Sequence, residues 1–357
     1  MNSSLIKKGV LVLFLFVFTL QTQAQTKSNT IKVLPRVTIL ATGGTIAGAG
    51  ESATKAAYTA GKVPIDILLS AVPQIHELAK VKGEQIAQIG SQDMSVEVWL
   101  KLSKRINEIF EENSADGIVI THGTDTMEET ATFLDLTVLF GKPVVLVGAM
   151  RASTAMSQDG NSNLLDAVMV AADPNSQGVV VAMNGLVFDA RDVTKTVTTS
   201  TSTFQSRNFG PIGLIYDGKV NYYYESLRNP VKKFDVRKAT SLPQVEIIYG
   251  YADASPVTVD ALLNTNVKGI VYAGMGNGNF NAAVGKSLEN ASKKGIVVCR
   301  SNRAGSGRTT LYNEVDDAAL GFVVGDDLNP QKARILLMLS LMETSDRAKI
   351  QNNFFKY

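Results

Sequence analysis

"RVTILATGGTIAG", Arg36 to Gly48, passes from an apolar run into a turn of glycines and threonines. The run reads as a buried strand ending where the glycines begin. The same grammar recurs in "DGIVITHGTDTMEETATFLDLTVLF", a strand, a Gly-Thr turn, then a helix. That helix is expected to open on a threonine cap with glutamates in its first turn. "PVVLVGAM" supplies another strand and "DGNSNLLDAVMVAAD" another helix. Continuous apolar strands alternating with helices predict an α/β fold with a mainly parallel sheet flanked by helices on both faces.

Two hairpins follow, "VVVAMNGLVFDA" and "IGLIYDGKVNYYY", with Asn184-Gly185 and Asp217-Gly218 as their turns. The texture then changes. Residues 225–243, "ESLRNPVKKFDVRKATSLP", are charged, contain two prolines and lack apolar periodicity, which predicts a linker. Alternation resumes with "QVEIIYGY", "VKGIVYAGMGNG" and "KGIVVCRSNRAG", and a last helix begins on Pro330. The expected organisation is a larger N-terminal α/β domain over 35–224 and a smaller C-terminal α/β domain over 244–357.

The first residues belong to neither. Lys7 and Lys8 precede an apolar run from Gly9 to Leu20, and Ala24 offers a small residue for cleavage. This is the pattern of a secretory signal peptide, 1–24, followed by a flexible stretch, 25–34. The run is shorter than the ~20 residues a spanning helix needs. The expected location is therefore periplasmic or secreted, with no membrane association after signal removal. Without residues 1–24 the chain carries 33 basic and 33 acidic residues. Nothing in that balance or its distribution suggests nucleic acid as a partner. A single cysteine, Cys299, excludes an internal disulfide and reads as a small buried hydrophobe.

In open α/β sheets, ligands sit beyond the carboxyl ends of the strands. Four loops in such positions are rich in Gly, Thr or Asn: "TGGTIAG", "THGTD", "VGAMR" and "AGMGNGN". A P-loop would need a lysine after its last glycine, and a dinucleotide fingerprint a different glycine spacing; neither is present. The two histidines, His76 and His122, and one cysteine are too few to suggest a zinc or iron site, and no cofactor or metal is expected. His76 reads as lying on a helix surface, His122 in a strand-end loop. The same shortage argues against a Ser-His-Asp triad. There remains a threonine hydroxyl activated by a lysine, with Thr45, Thr124, Asp125 and Lys195 ("DARDVTK") as candidates. On residue type alone, Thr45 and Thr124 could equally hydrogen-bond the turn backbone.

"ATGGTIAG" and "THGTDTMEETA", with 79 residues from Thr45 to Thr124, resemble the two signature segments of the L-asparaginases. "GSQDM", "VGAMR", "SQDGNSNL", "ARDVTKT", "AGMGNGN", "EVDDA" and "NPQKAR" are similar too, so the resemblance spans the chain beyond the signal peptide. The signal peptide points to the exported, type II branch. The resemblance implies hydrolysis of L-asparagine to L-aspartate and ammonia through a threonine acyl-enzyme, with side activity on L-glutamine open. It implies catalytic roles for Thr45, Tyr58 on a mobile loop, Thr124, Asp125 and Lys195. Ser91, Gln92, Thr124 and Asp125 would hold the small amino-acid substrate, with Asn279 and Glu314 reaching in from a neighbouring subunit of a homotetramer. Some exported members carry a disulfide where this chain has Glu112 and Phe140, and Arg151-Ala152 stands where Arg-Pro is common. Two other readings stay open: an exported amino-acid-binding protein without catalysis, and a glutaminase-asparaginase with comparable activity on both amides.

Overall fold

Val37, Ile39 and Leu40 are inaccessible to solvent, as a strand covered on both faces requires. They belong to β1 (Arg36–Gly43), which pairs in parallel with β2 (Lys80–Ile89) on one side and β3 (Gly117–Thr121) on the other. β4 (Val144–Val147) and β5 (Val179–Met183) extend the parallel set. The computed structural model describes residues 33–48, 50, 59, 61, 63–224 and 233–357. The expected signal peptide, residues 25–32 of the expected flexible stretch, and 225–232 of the expected linker lie outside these. Leu34–Tyr357 groups as one unit.

After β5 the sheet turns antiparallel. β6 (Leu186–Asp189) pairs with β5 across Asn184-Gly185, both at positive φ (54° and 74°). β7 (Val193–Lys195) and β8 (Phe204–Ser206) form a separate two-stranded ribbon. β9 (Gly213–Tyr216) and β10 (Lys219–Tyr222) join across Asp217-Gly218, again both at positive φ. The large sheet is ordered β10-β9-β6-β5-β4-β3-β1-β2. Within it the parallel strands run 2-1-3-4-5, a doubly wound order that reverses direction between β1 and β3.

The second sheet is wholly parallel: β11 (Val245–Tyr249), β12 (Gly269–Gly274), β13 (Val297–Asn302) and β14 (Val323–Val324), in that order. The fold is thus α/β, with a large N-terminal sheet and a smaller C-terminal one. The helix Pro330–Glu343 packs against both the second sheet and the helix Met127–Thr137, which ties the two parts together. Its first residue is the expected proline, and Asn329 caps it by accepting from Lys332 N at 3.0 Å.

Three local outcomes differ from, or add to, the sequence reading. Thr126 does sit at the cap of the Met127–Thr137 helix, but its hydroxyl donates to Ser91 O at 2.8 Å instead of capping. Within the described part of the expected linker, Phe234 and Val236 are buried. Phe234 is 1% exposed, lies 5.2 Å from the Tyr357 ring, and donates its N–H to Leu136 O. Where some exported relatives were expected to carry a disulfide, Phe140 packs edge-on to Phe110 at 5.9 Å.

Candidate active site

The turns after β1, β2 and β3 meet at the point where the strand order reverses, the place where doubly wound sheets bind ligands. Their glycines are there for closeness. Gly44, at φ 80°, lies so near the next turn that a Cβ would come within 2.3 Å of Gly123 N. A Cβ on Gly123 would in turn meet Ser91 Oγ at 2.6 Å. Any side chain at either position would push the turns apart, so this tight convergence depends on glycine.

Thr45 opens the short turn Thr45–Ala47 after β1 and is 7% exposed. Thr124 opens the matching turn Thr124–Thr126 after β3 and is 5% exposed. Ser91 opens the turn after β2, and its Oγ accepts the Asp125 N–H at 3.2 Å. Gln92 follows it, exposed, donating from Nε2 to Asp93 Oδ2.

Lys195, the last residue of β7, closes the group. Its Nζ donates to Thr124 Oγ1 at 2.8 Å and to Asp125 Oδ1 at 2.6 Å. The lysine side chain is 16% exposed, whereas the Asp125 side chain is 60% exposed. The pair therefore joins a sheltered ammonium to a carboxylate that solvent, or a solute cation, can reach. Because Thr124 Oγ1 accepts from the lysine, its own proton is left to point elsewhere.

Behind these turns runs a one-way chain of hydrogen bonds. Trp99 Nε1 donates to Thr130 Oγ1 at 2.8 Å, and His122 Nε2 lies 2.8 Å from the same hydroxyl. His122 Nδ1 lies 2.6 Å from Gly123 O. A carbonyl only accepts, so His122 carries a proton on Nδ1; burial disfavours a second one, which leaves Nε2 to accept from Thr130 Oγ1. Burial pushes its pKa down from 6.5 to about 4. His122 does lie just past β3, as expected, but it braces the turn from inside the core. His76 is exposed on a short helix, and Cys299 is fully buried, which raises its pKa.

Tyr58 lies outside the described residues. Asn279 and Glu314 are found together, Asn279 Nδ2 donating to Glu314 Oε2 in the loops beyond the second sheet. Among the described residues, neither hydrogen-bonds to Thr124, Asp125 or Lys195. What organises their surroundings is the buried pair Arg300–Asp317, joined at 2.6 and 2.8 Å. Arg300 also donates to the carbonyls of Asn277 and Thr310.

Sequence reasoning missed Arg300, hidden in an apolar strand, and Glu128. Glu128 is 5% exposed and accepts the Lys195 backbone N–H at 2.8 Å. The only signal was its position one turn after Thr124, which read as an ordinary helix-start acid.

The chain matches the family model described as "Asparaginase, N-terminal" over residues 36–228 and that described as "Glutaminase/Asparaginase C-terminal domain" over 244–354. It is 54% identical to L-asparaginase 2 of Escherichia coli, over 92% of this chain and 95% of that one. It is 56% identical to a protein of Haemophilus influenzae named probable L-asparaginase periplasmic, over 90% and 93%. Among solved structures, that of a probable cytoplasmic L-asparaginase from Campylobacter jejuni superposes with a TM-score of 0.88 at 48% identity, over 90% of this chain and 100% of that one. The chain belongs to the asparaginase family.

Proposed function

We propose that this protein hydrolyses the side-chain amide of L-asparagine to L-aspartate and ammonia, with Thr45 as nucleophile. Its hydroxyl oxygen would attack the amide carbon, ammonia would leave with the transferred proton, and water would then cleave the threonine ester. The observation that carries this reading is the Lys195 bridge to Thr124 Oγ1 and Asp125 Oδ1 on the turn beside buried Thr45. A hydroxyl needs a neighbouring base or proton relay to act as nucleophile. The Lys195–Thr124 contact offers such a relay, with Asp125 fixing the ammonium.

Substrate recognition follows from charge. A free amino acid presents an ammonium and a carboxylate. The exposed Asp125 carboxylate suits the first, and the Ser91 and Gln92 side chains the second. Asn279 and Glu314, paired with each other and apart from the Lys195 group, suit a role in a neighbouring subunit's site. That reading makes the working form an oligomer, a homotetramer by family resemblance. Tyr58 would close over the nucleophile. L-Glutamine differs from L-asparagine by one methylene, a difference worth about 1–3 kcal/mol in a fitted pocket, so side activity on it is part of the proposal. For location we rely on the N-terminal signal pattern, because the relatives' names differ between periplasmic and cytoplasmic.

The test is ammonia release from L-asparagine by purified protein, with Thr45→Ala and Lys195→Met alongside. Both variants should fold and lose at least about 10³-fold in kcat. A shift in melting temperature on adding L-asparagine, with no ammonia released, would instead mark a binding protein. Near-wild-type turnover by folded Thr45→Ala would remove threonine 45 as nucleophile.

A further inference from the structure

We infer that Glu128 is a positioning residue for Lys195, working through a carboxylate that must accept on both of its oxygens. The inference deepens the proposed function and rests on its assignment of Lys195. Glu128 Oε2 accepts the backbone N–H of Lys195 at 2.8 Å. Glu128 Oε1 accepts from Asn329 Nδ2 at 3.2 Å. The orientation of the Asn329 amide is fixed independently, because its Oδ1 is occupied as the cap of Lys332 N at 3.0 Å. Glu128 therefore faces two donors, one on the strand that bears Lys195 and one at the start of the Pro330–Glu343 helix.

The consequence is a two-ended grip. Thr124 and Asp125 hold the Nζ end of Lys195, while Glu128, one turn further along the same segment, holds its main chain. A lysine stem is flexible, so its ammonium is placed only if its Cα is placed as well. The approach to β7 is pinned from the other side. Lys332 Nζ donates to Ala190 O at 2.9 Å and to Arg191 O at 2.8 Å, and Thr132 Oγ1 donates to Ala190 O at 3.3 Å. The C-terminal helix thus helps to set where the N-terminal lysine stands.

The two-acceptor requirement makes the idea testable by exchange. A glutamine at 128 has one acceptor oxygen and would turn its amide nitrogen toward one of the two donors. Glu128→Gln is expected to lower kcat by about 10–100-fold, the scale of small misplacements, with little change in KM. Asn329→Asp alone sets two carboxylates face to face and should also lose activity. Together, Glu128→Gln and Asn329→Asp restore complementary partners: the new amide accepts from Lys195 N and donates to the new carboxylate, which can still cap Lys332 N. The double variant is expected to recover kcat to within about threefold of wild type, a coupling that additive defects cannot produce. The reactivity of Lys195 toward formaldehyde and borohydride, read by mass spectrometry, should rise in each single variant and fall back in the double.

Wild-type kcat and wild-type labelling in Glu128→Gln would overturn the inference. So would a double variant no better than the worse single one. If Glu128→Gln fails to fold, Asn329→Asp and the double variant decide the matter by the same recovery. If the wild-type protein releases no ammonia, the proposed function fails, while the labelling series still decides whether Glu128 places Lys195.

Discussion

Two polar clusters, one around Lys195 and one around Arg300, are built on opposite plans. The Lys195–Asp125 pair keeps its carboxylate 60% exposed. The Arg300–Asp317 pair is 1% exposed on both sides, and Asp317 Oδ2 accepts the Tyr312 N–H as well. A buried pair must satisfy nearly every polar atom it brings in, because an uncompensated charge there is costly. Arg300 does so by bonding the loop carbonyls of Asn277 and Thr310, which makes it a strut for the loops around Asn279. The Lys195 group leaves capacity open toward solvent, which is what a site that must receive a charged solute needs. The contrast teaches that local polarity alone does not mark a site; unspent polarity at a strand end does.

The comparison breaks first at the buried pair. Arg300→Leu should strand Asp317 without its cation and destabilise the protein by about 3–5 kcal/mol in urea unfolding. Removing both charges, as Arg300→Leu with Asp317→Leu, should recover only part of this, because the carbonyls of Asn277 and Thr310 lose their donors. Full recovery would show that the pair is not a strut for those loops.

His122 tests the scaffold behind the site. Its pKa is about 4 when folded and 6.5 unfolded, so the unfolded chain binds the extra proton in between. The stability it contributes is complete above about pH 6.5 and is lost as the pH falls toward 4. Between pH 7 and pH 5 this single group should cost about 2 kcal/mol of unfolding free energy. His122→Gln should flatten that part of the pH dependence, whatever it does to stability at pH 7. An unchanged slope would mean that His122 is not buried neutral.

Arg300 and Glu128 show where the sequence stops being readable. The alternation of strands and helices, the Asn-Gly and Asp-Gly turns and the proline-started last helix are local signals, and the fold follows them. Strand-end position made Thr45, Thr124, Asp125 and Lys195 candidates, but the resemblance to the L-asparaginases, not the local pattern, joined Thr124, Asp125 and Lys195 into one group. Arg300 could not be read, because its partner lies 17 residues away on another element and it ends an apolar run, "GIVVC", that reads as a buried strand. Glu128 looked like a helix-start acid until its distance to Lys195 N was known. Thr126 occupies a cap position, yet Ser91 O offers its hydroxyl a better partner. Phe234 and Val236 are two apolar anchors within a charged stretch, and no linear pattern separates them from a linker.

The sharpest test of the contrast carries the smallest effect on stability. Asp125→Ala removes one half of an ion pair whose carboxylate is mostly in water, and such pairs contribute about 0–1 kcal/mol. Urea unfolding of this variant should therefore stay within about 1 kcal/mol of wild type, although Lys195 Nζ keeps only Thr124 as its partner. Ammonia release should nonetheless fall by at least about 100-fold, because the group that orients Lys195 and would meet the substrate ammonium is gone. The two readouts must move apart. If stability fell as it does for Arg300→Leu while turnover merely tracked the folded fraction, Asp125 would be a strut like Asp317, and the distinction between the two clusters would collapse.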